Sequence, residues 1–419
     1  MKWLAAVSLL NSGLLNSGVA LAQDVFIHGA KVHTVGPLGT LENGNVLIRG
    51  DKIVAVGNAL TAPPGSTIIE ARGRPLTPGL FGGLSAIGLE EVSQEEATVD
   101  ENLMLEAPAW QPQWRPEFDV LPAFNPRSAL VPVARIEGLT WTVLAPGSTG
   151  GDTMLAGQGA AVTLDGRYDA ALAGSRALFV YLGSDALPDA AGSRAAQYML
   201  LDQAVRESQT KGPVGENALL HPAGREVLAR YLKRGRVVFK VERAADILQV
   251  LAFGQSHDIK PVISGGTEAW LVAHDLARAH VPVLLDALQD LPSSFDTLGA
   301  RLDNAVRLER AGVRIAFTQH RESHNARKIR QLAGNAVAHG LPWDAALAAL
   351  TANPAEIFGQ GANRGRIAPG QIADLALWSG DPLEVTTVAD QVWIAGRPME
   401  MRSRQTELRD RYLNQRQVH

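Results

Sequence analysis

A lysine and a glutamate lie two residues apart at the end of one strand-like run of the sequence. The run RVVFKVE (236–242) carries Lys240 and Glu242, which face the same side of a strand because side chains alternate along it. A buried lysine could serve as a base or as a Schiff-base nucleophile. Alternatively, the two side chains form a mutually neutralising pair that fills space. We favour the pair and keep Lys240 and Glu242 as candidate catalytic residues.

Two histidines follow a second strand-like run, VRIAFTQ (313–319). His320 and His324 are four residues apart and could share one face of a helix. With Glu242 or Glu268 they could bind a metal ion, or they could be polar loop residues. His320 is a third catalytic candidate, and the predicted substrate pocket consists of Glu268, Gln319, Arg321 and His324.

A glycine-rich stretch at 146–166 has neither of the glycine spacings that cradle phosphates. Its Gly157-Gln158-Gly159 segment is interpreted as a tight turn in a loop. The chain has no cysteine, which excludes disulfides and thiolate zinc sites. Its net charge of −4 and pI of about 6.2 give no basic surface for nucleic acid.

The elements that must position these residues follow a β, then βα, then β order. Short antiparallel strands are predicted in the first 75 residues, with a hairpin at Gly50-Asp51. Apolar runs then alternate with helical periods, which indicates a parallel sheet or a closed barrel. Seven barrel strands can be counted, and the eighth is expected to be weak or missing within 184–235. Short β runs return at 365–396, and a charged helix is expected at 401–419.

The first 22 residues have the pattern of a secretory signal peptide. A positive start at Lys2 precedes an apolar stretch and the small-residue site Ala20-Leu21-Ala22. We expect an exported protein, periplasmic or extracellular, with no membrane span after removal of the signal.

Four segments carry a family resemblance. They are GDKIVAVG with RPLTPGL, then LTANPAEIFG (350–359), GRIAPGQIADLALWSGDPL (365–383) and VWIAGRPM (392–399). They resemble the amidohydrolase superfamily, and within it the secreted, imidazolonepropionase-like, amidohydrolase-related proteins. The resemblance implies an α/β fold: a TIM-like (β/α)8 barrel at 76–364, beside a small β-sandwich built from 24–75 and 365–400. It also implies hydrolysis of carbon–nitrogen bonds other than peptide bonds.

The metal ligands that the resemblance implies are replaced. Relatives carry a histidine pair on the first barrel strand, histidines on strands five and six and an aspartate on strand eight; zinc held there activates a water molecule. The corresponding positions hold Leu84, Ala86, Lys240, Gly265 (or Ser264) and His320. We therefore expect no cofactor, with zinc possible only at an alternative site.

Two functions remain open at this stage. One is a hydrolase of carbon–nitrogen bonds, which the resemblance supports. The other is a non-catalytic exported pseudoenzyme, which the ligand replacements support. A pseudoenzyme could bind a small molecule, form a homo-oligomer or associate with an active amidohydrolase paralogue.

Overall fold

The computed structural model describes residues 23–103, 114–147, 153–190, 192–212, 215, 217–319 and 323–416. The predicted signal peptide (1–22), His320 and Arg321 lie outside these residues. The strands are β1 (Val25–His33), β2 (Thr40–Arg49), β3 (Lys52–Gly57), β4 (Thr67–Glu70), β5 (Pro75–Pro78), β6 (Leu80–Ser85), β7 (Leu139–Leu144), β8 (Leu155–Gly159), β9 (Ala161–Thr163), β10 (Ala177–Tyr181), β11 (Arg236–Val241), β12 (Lys260–Gly265), β13 (Val283–Leu285), β14 (Ile315–Phe317), β15 (Leu375–Trp378), β16 (Ala389–Ile394) and β17 (Arg397–Pro398).

The α-helices lie mainly between and after the central strands. They are α1 (Leu130–Arg135), α2 (Arg194–Gln209), α3 (Pro222–Tyr231), α4 (Ala244–Ser256), α5 (Ala273–Arg278), α6 (Asn304–Arg310), α7 (Ile329–Ala338), α8 (Trp343–Leu350), α9 (Ala352–Ile357) and α10 (Arg404–Arg416). Helix α10 lies within 401–419, the segment in which a charged helix was expected.

Both ends of the chain build one eight-stranded sheet. Its order is β17-β16-β15-β5-β1-β2-β3, with β4 paired to β1. The segments meet where β5 pairs antiparallel with β15, placing Leu76 opposite Leu377. The predicted hairpin is confirmed: Gly50, at φ +59°, turns β2 into β3 with Arg49 opposite Lys52. The hydrogen bonding defines a single sheet, so the two-layered sandwich stays a prediction.

The central strands form two further sheets. Strands β10 to β14 run parallel, with β8 antiparallel at the edge beside β10, and a three-stranded sheet has the order β6-β7-β9. Burial of both faces explains why β7, β13 and β14 are near-continuous apolar runs, since every residue of these three strands is buried. The chain is thus a mixed α/β protein.

The glycine-rich stretch was interpreted wrongly. Gly157-Gln158-Gly159 belongs to strand β8, where Gln158 lies opposite Leu178 of β10. Gly159 is needed for close approach, because a Cβ atom there would overlap the backbone oxygen of Leu144. The described part of 184–235 holds helices α2 and α3 before β11. The additional central strand is therefore formed by residues 155–163. It precedes the region 184–235, in which the eighth strand was expected.

Candidate functional site

The carboxyl ends of the central strands surround a cavity of about 360 Å³. It is called the main cavity below because Leu84, Ala86, Lys240 and Gln319 line it, although the second cavity described below is larger. Parallel strands place the side chains that follow them at a common edge, which is where α/β proteins build their sites. The described residues that line it are Leu84, Ser85, Ala86, Glu90, Ser93, Val99, Glu101, Asn102, Ala145, Pro146, Gly147, Phe179, Tyr181, Val238, Lys240, Ser264 and Gln319.

Several residues predicted from the sequence come together in this cavity. Leu84 and Ala86 reach it from the end of β6, Lys240 from β11 and Gln319 from the segment after β14. Both Leu84 and Ala86 are buried. The backbone N–H of Leu84 donates to Thr318 Oγ1 at 2.9 Å, which joins the first central strand to the end of the last. The positions that carry histidines in the resemblance thus face the same space as Lys240.

A second cavity, of about 520 Å³, adjoins the first through Lys240. Glu242 and Gly265 line it, together with Asp185, Asp286, Asp290, Asp296 and neighbouring loop residues. Gly265 has φ +92°, and a Cβ atom there would overlap the Glu242 carboxylate. A histidine at position 265 would therefore displace Glu242, so the glycine and the glutamate fit each other.

Lys240 and Glu242 do not form the direct pair that was favoured. Lys240 Nζ lies 3.9 Å from Asp185 Oδ2 and 5.7 Å from the centre of the Tyr181 ring. Glu242 instead accepts hydrogen bonds from Thr267 N at 3.1 Å and Thr267 Oγ1 at 2.7 Å. Burial raises the pKa of the Glu242 carboxyl, while the Thr267 hydrogen bonds and the charge of Lys240 act in the opposite direction. Lys240 and Glu242 both line the second cavity, as their spacing of two residues predicts. Each side chain, however, has a partner other than the one expected: Asp185 for Lys240 and Thr267 for Glu242.

Two of the predicted pocket residues lie elsewhere. Glu268 lines neither cavity; its carboxylate accepts a hydrogen bond from the backbone N–H of Ala244 at 3.0 Å, at the start of α4. That position satisfies a free N–H of the helix. His324 is exposed at the start of the 3₁₀ helix Ser323–Lys328 and also lines neither cavity. Of the predicted pocket, Gln319 is the member that the described residues place at the main cavity.

Two glutamates in the main cavity were missed from the sequence. Glu90 and Glu101 come from the irregular segment after β6. Glu90 Oε2 accepts a hydrogen bond from Ser323 Oγ at 2.8 Å. Burial raises the pKa of the Glu101 carboxyl from 4.5 to about 7, and the nearby charge of Glu90 adds to the rise. Perturbed carboxyls in a cleft are typical of functional sites. This segment has no helical or strand periodicity from which the position of Glu90 or Glu101 could have been predicted.

The donor groups of the described residues do not fit the zinc site of the resemblance. Leu84, Ala86 and Gly265 offer no side-chain ligand, and Lys240 is a cation. Within the ranges that the structure describes, no three His, Cys, Asp or Glu side chains are grouped closely enough to hold a metal ion. A structural or catalytic zinc needs three or four such ligands.

Comparisons with known proteins agree with this fold. Residues 275–399 match the amidohydrolase family model. Over 72 residues, 17% of this chain, the protein is 42% identical to "Amidohydrolase tasK" of Hapsidospora irregularis, and this stretch is 7% of that relative's length. The structure resembles an amidohydrolase from Thermotoga maritima MSB8 with a TM-score of 0.76 at 23% identity, covering 90% of this chain and 100% of the other.

A more distant structural neighbour has a bound ligand. It is a prolidase complexed with n-methylphosphonate-L-proline, with a TM-score of 0.56 at 16% identity, covering 90% of this chain and 100% of that one. The fold is that of a mixed α/β protein similar to solved amidohydrolases. The family-model match and the short curated match are to amidohydrolases as well, and the model match extends over residues 275–399.

None of the helices in the described ranges is both long enough and apolar enough to cross a bilayer.

Proposed function

We propose that this protein binds a small molecule in the main cavity and does not perform the zinc-dependent hydrolysis that its superfamily suggests. The observation that carries the proposal is the placement of Leu84 and Ala86 at the cavity. They face the cavity where the resemblance puts two imidazoles. The cavity itself is retained, with apolar walls and a few polar groups, as in ligand sites generally. The protein is thus a non-catalytic descendant of the family.

We further infer that the central strands close into an eight-stranded barrel. Strands β8 and β9 are separated by a single residue, so 155–163 is one strand that pairs with β10 at its start and with β7 at its end. The contact from Leu84 to Thr318 joins β6 to the segment after β14. These contacts support a ring of strands in which the segment 155–163 runs antiparallel to both of its neighbours, β7 and β10. Such a barrel would bring every cavity residue to one rim.

A second candidate is hydrolysis of a carbon–nitrogen bond without metal. The observation in its favour is that Glu101, with a pKa of about 7, shares the cavity with Lys240. A carboxyl that ionises near neutral pH can act as a general acid or base. In this case the variants Lys240→Ala, Glu101→Gln and His320→Ala should each abolish turnover. If all three stay fully active, metal-free catalysis at this site is excluded.

The experiment that separates the two candidates measures turnover together with metal content. The mature chain is purified in zinc-containing medium and assayed against a panel of amides and cyclic imides, before and after chelation. We expect less than one zinc per chain and no turnover that chelation removes. Stoichiometric zinc together with chelator-sensitive hydrolysis would refute the proposal. Export to the periplasm or beyond is part of the proposal and is tested by fractionation and N-terminal sequencing.

A further inference from the structure

Four polar residues that line the main cavity, Glu90, Glu101, Asn102 and Gln319, are together called its acidic wall here. Glu90 is buried and Glu101 is partly buried. None of the ion pairs in the described part of the chain includes either glutamate. Removing carboxylates from water without a counter-charge is costly, so this wall favours an incoming cation.

Unpartnered acceptors on the same wall provide a second, independent observation. Gln319 is 9% exposed, and its Oε1 atom has no hydrogen-bond partner among the described residues. The Oδ1 atom of Asn102 is likewise buried and without a partner there. Buried carbonyl oxygens are nearly always hydrogen-bonded in native proteins, so each such exception calls for a ligand or an ordered water. Both groups require a donor, as the two glutamates require a positive charge.

The remaining surface of the cavity is suited to a hydrocarbon body. Phe179, Val238 and Leu84 are buried apolar residues that line it. Lys240 is the one cation among its described lining residues, and it lies beside Asp185, which lines the second cavity. The cavity therefore combines an apolar floor with one wall rich in acceptors.

We propose that the acidic wall selects a small organic amine, binding its ammonium group between Glu90 and Glu101 while its hydrocarbon part lies on the apolar floor. Asn102 and Gln319 then accept the remaining N–H groups. Hydrogen bonds from a charged donor to a carboxylate are the stronger kind. The inference rests on the proposed function, since it names the class of small molecule that the cavity takes.

Proton release should accompany this binding. The ammonium favours the ionised form of Glu101, whose pKa is about 7 in the unliganded protein. The other described titratable groups that line the cavity are Glu90, Tyr181 and Lys240. Affinity should rise about tenfold between about pH 6 and about pH 7.5, as expected for a binding event linked to one proton. The amine stays protonated throughout that range.

The test compares amines with their neutral counterparts on the intact mature chain. Butylamine, benzylamine and phenethylamine are titrated calorimetrically against butanol, benzyl alcohol and phenethyl alcohol, in two buffers of different ionisation enthalpy. We expect saturable binding of at least one amine, no binding of its alcohol and release of a proton at about pH 6.5. Equal binding of amine and alcohol, or no amine binding at millimolar concentration, would overturn the inference.

Variants with a matched control complete the test. Glu101→Gln should weaken amine binding at least about tenfold and abolish proton release. Glu90→Gln should weaken it similarly while keeping an oxygen acceptor for Ser323. Glu96→Gln, the same change at an exposed position nearby, should leave binding unchanged. Melting curves establish that each variant folds, and unchanged amine affinity in folded Glu101→Gln refutes the inference.

The outcomes separate this inference from the proposed function. A zinc-free, inactive preparation that binds an alcohol as tightly as the amine would be consistent with the proposed function but would refute the ammonium site. Stoichiometric zinc together with hydrolysis would refute the proposed function, whether or not amines bind. Calcium binding that depends on Glu101, without amine binding, would also contradict the ammonium site.

Discussion

Replacing Glu101 by glutamine should stabilise the protein at alkaline pH. The carboxyl is held in a cavity where burial and the charge of Glu90 raise its pKa from 4.5 to about 7. Its ionised form is therefore disfavoured in the folded state relative to the unfolded state. This penalty is absent below pH 4.5, develops as the pH rises to about 7 and is complete above that.

The magnitude follows from the gap between the two pKa values. At about 1.4 kcal/mol per pH unit, the gap corresponds to about 3 kcal/mol at about pH 8 and to less than about 1 kcal/mol at about pH 5. Because Glu101 is partly exposed to solvent, part of this cost is screened, so a gain of about 1 to 3 kcal/mol in the free energy of unfolding is expected at the higher pH. Glutamine has the same shape and no charge to bury.

Urea unfolding of wild type and variant at both pH values checks this prediction. Glu96→Gln, at an exposed position of the same segment, is the control and should change stability by less than about 0.5 kcal/mol at either pH. A stabilisation by Glu101→Gln that is independent of pH would show that charge burial is not its cause. A loss of stability at about pH 8 would refute the reasoning outright.

Further predictions concern the architecture around the site. Gly265→Ala should cost about 1 to 3 kcal/mol more than Gly312→Ala in urea unfolding, because both have positive φ but an added Cβ overlaps the Glu242 carboxylate at 265 and meets open space at 312. Equal costs would mean that Glu242 moves freely. Asp374→Ala should cost about 3 to 5 kcal/mol, since it leaves the buried Arg364 without its partner. A melting temperature within a degree or so of wild type would contradict that.

The sequence predicted those parts of the fold that repeat along the chain. Strands β11 and β14 end within two residues of the predicted runs 236–242 and 313–319, because burial of the strands leaves a nearly continuous apolar signal in the sequence. The resemblance implied that Leu84 and Ala86 lie on the first barrel strand, and in the structure both residues line the main cavity at the end of β6. Apolar runs and short motifs are local features of the chain, so they can be recognised in a single sequence.

The missed features depend on tertiary contacts. Glu90 and Glu101 reach the cavity from an irregular segment whose path no periodicity predicts. Gly159 was taken for a turn residue, whereas the close approach of the Leu144 backbone explains it. The even spacing of Lys240 and Glu242 gave a shared face, but their partners, Asp185 and Thr267, come from other loops. Such contacts cannot be read from spacing alone.

The most direct test of lost zinc chemistry is diffraction from crystals of the mature chain grown with zinc. Data collected on both sides of the zinc absorption edge locate any bound ion. The account predicts no anomalous peak within the main cavity, because Leu84 and Ala86 offer no ligand there. An ordered zinc ion in that cavity, held by three or more protein side chains, would contradict it.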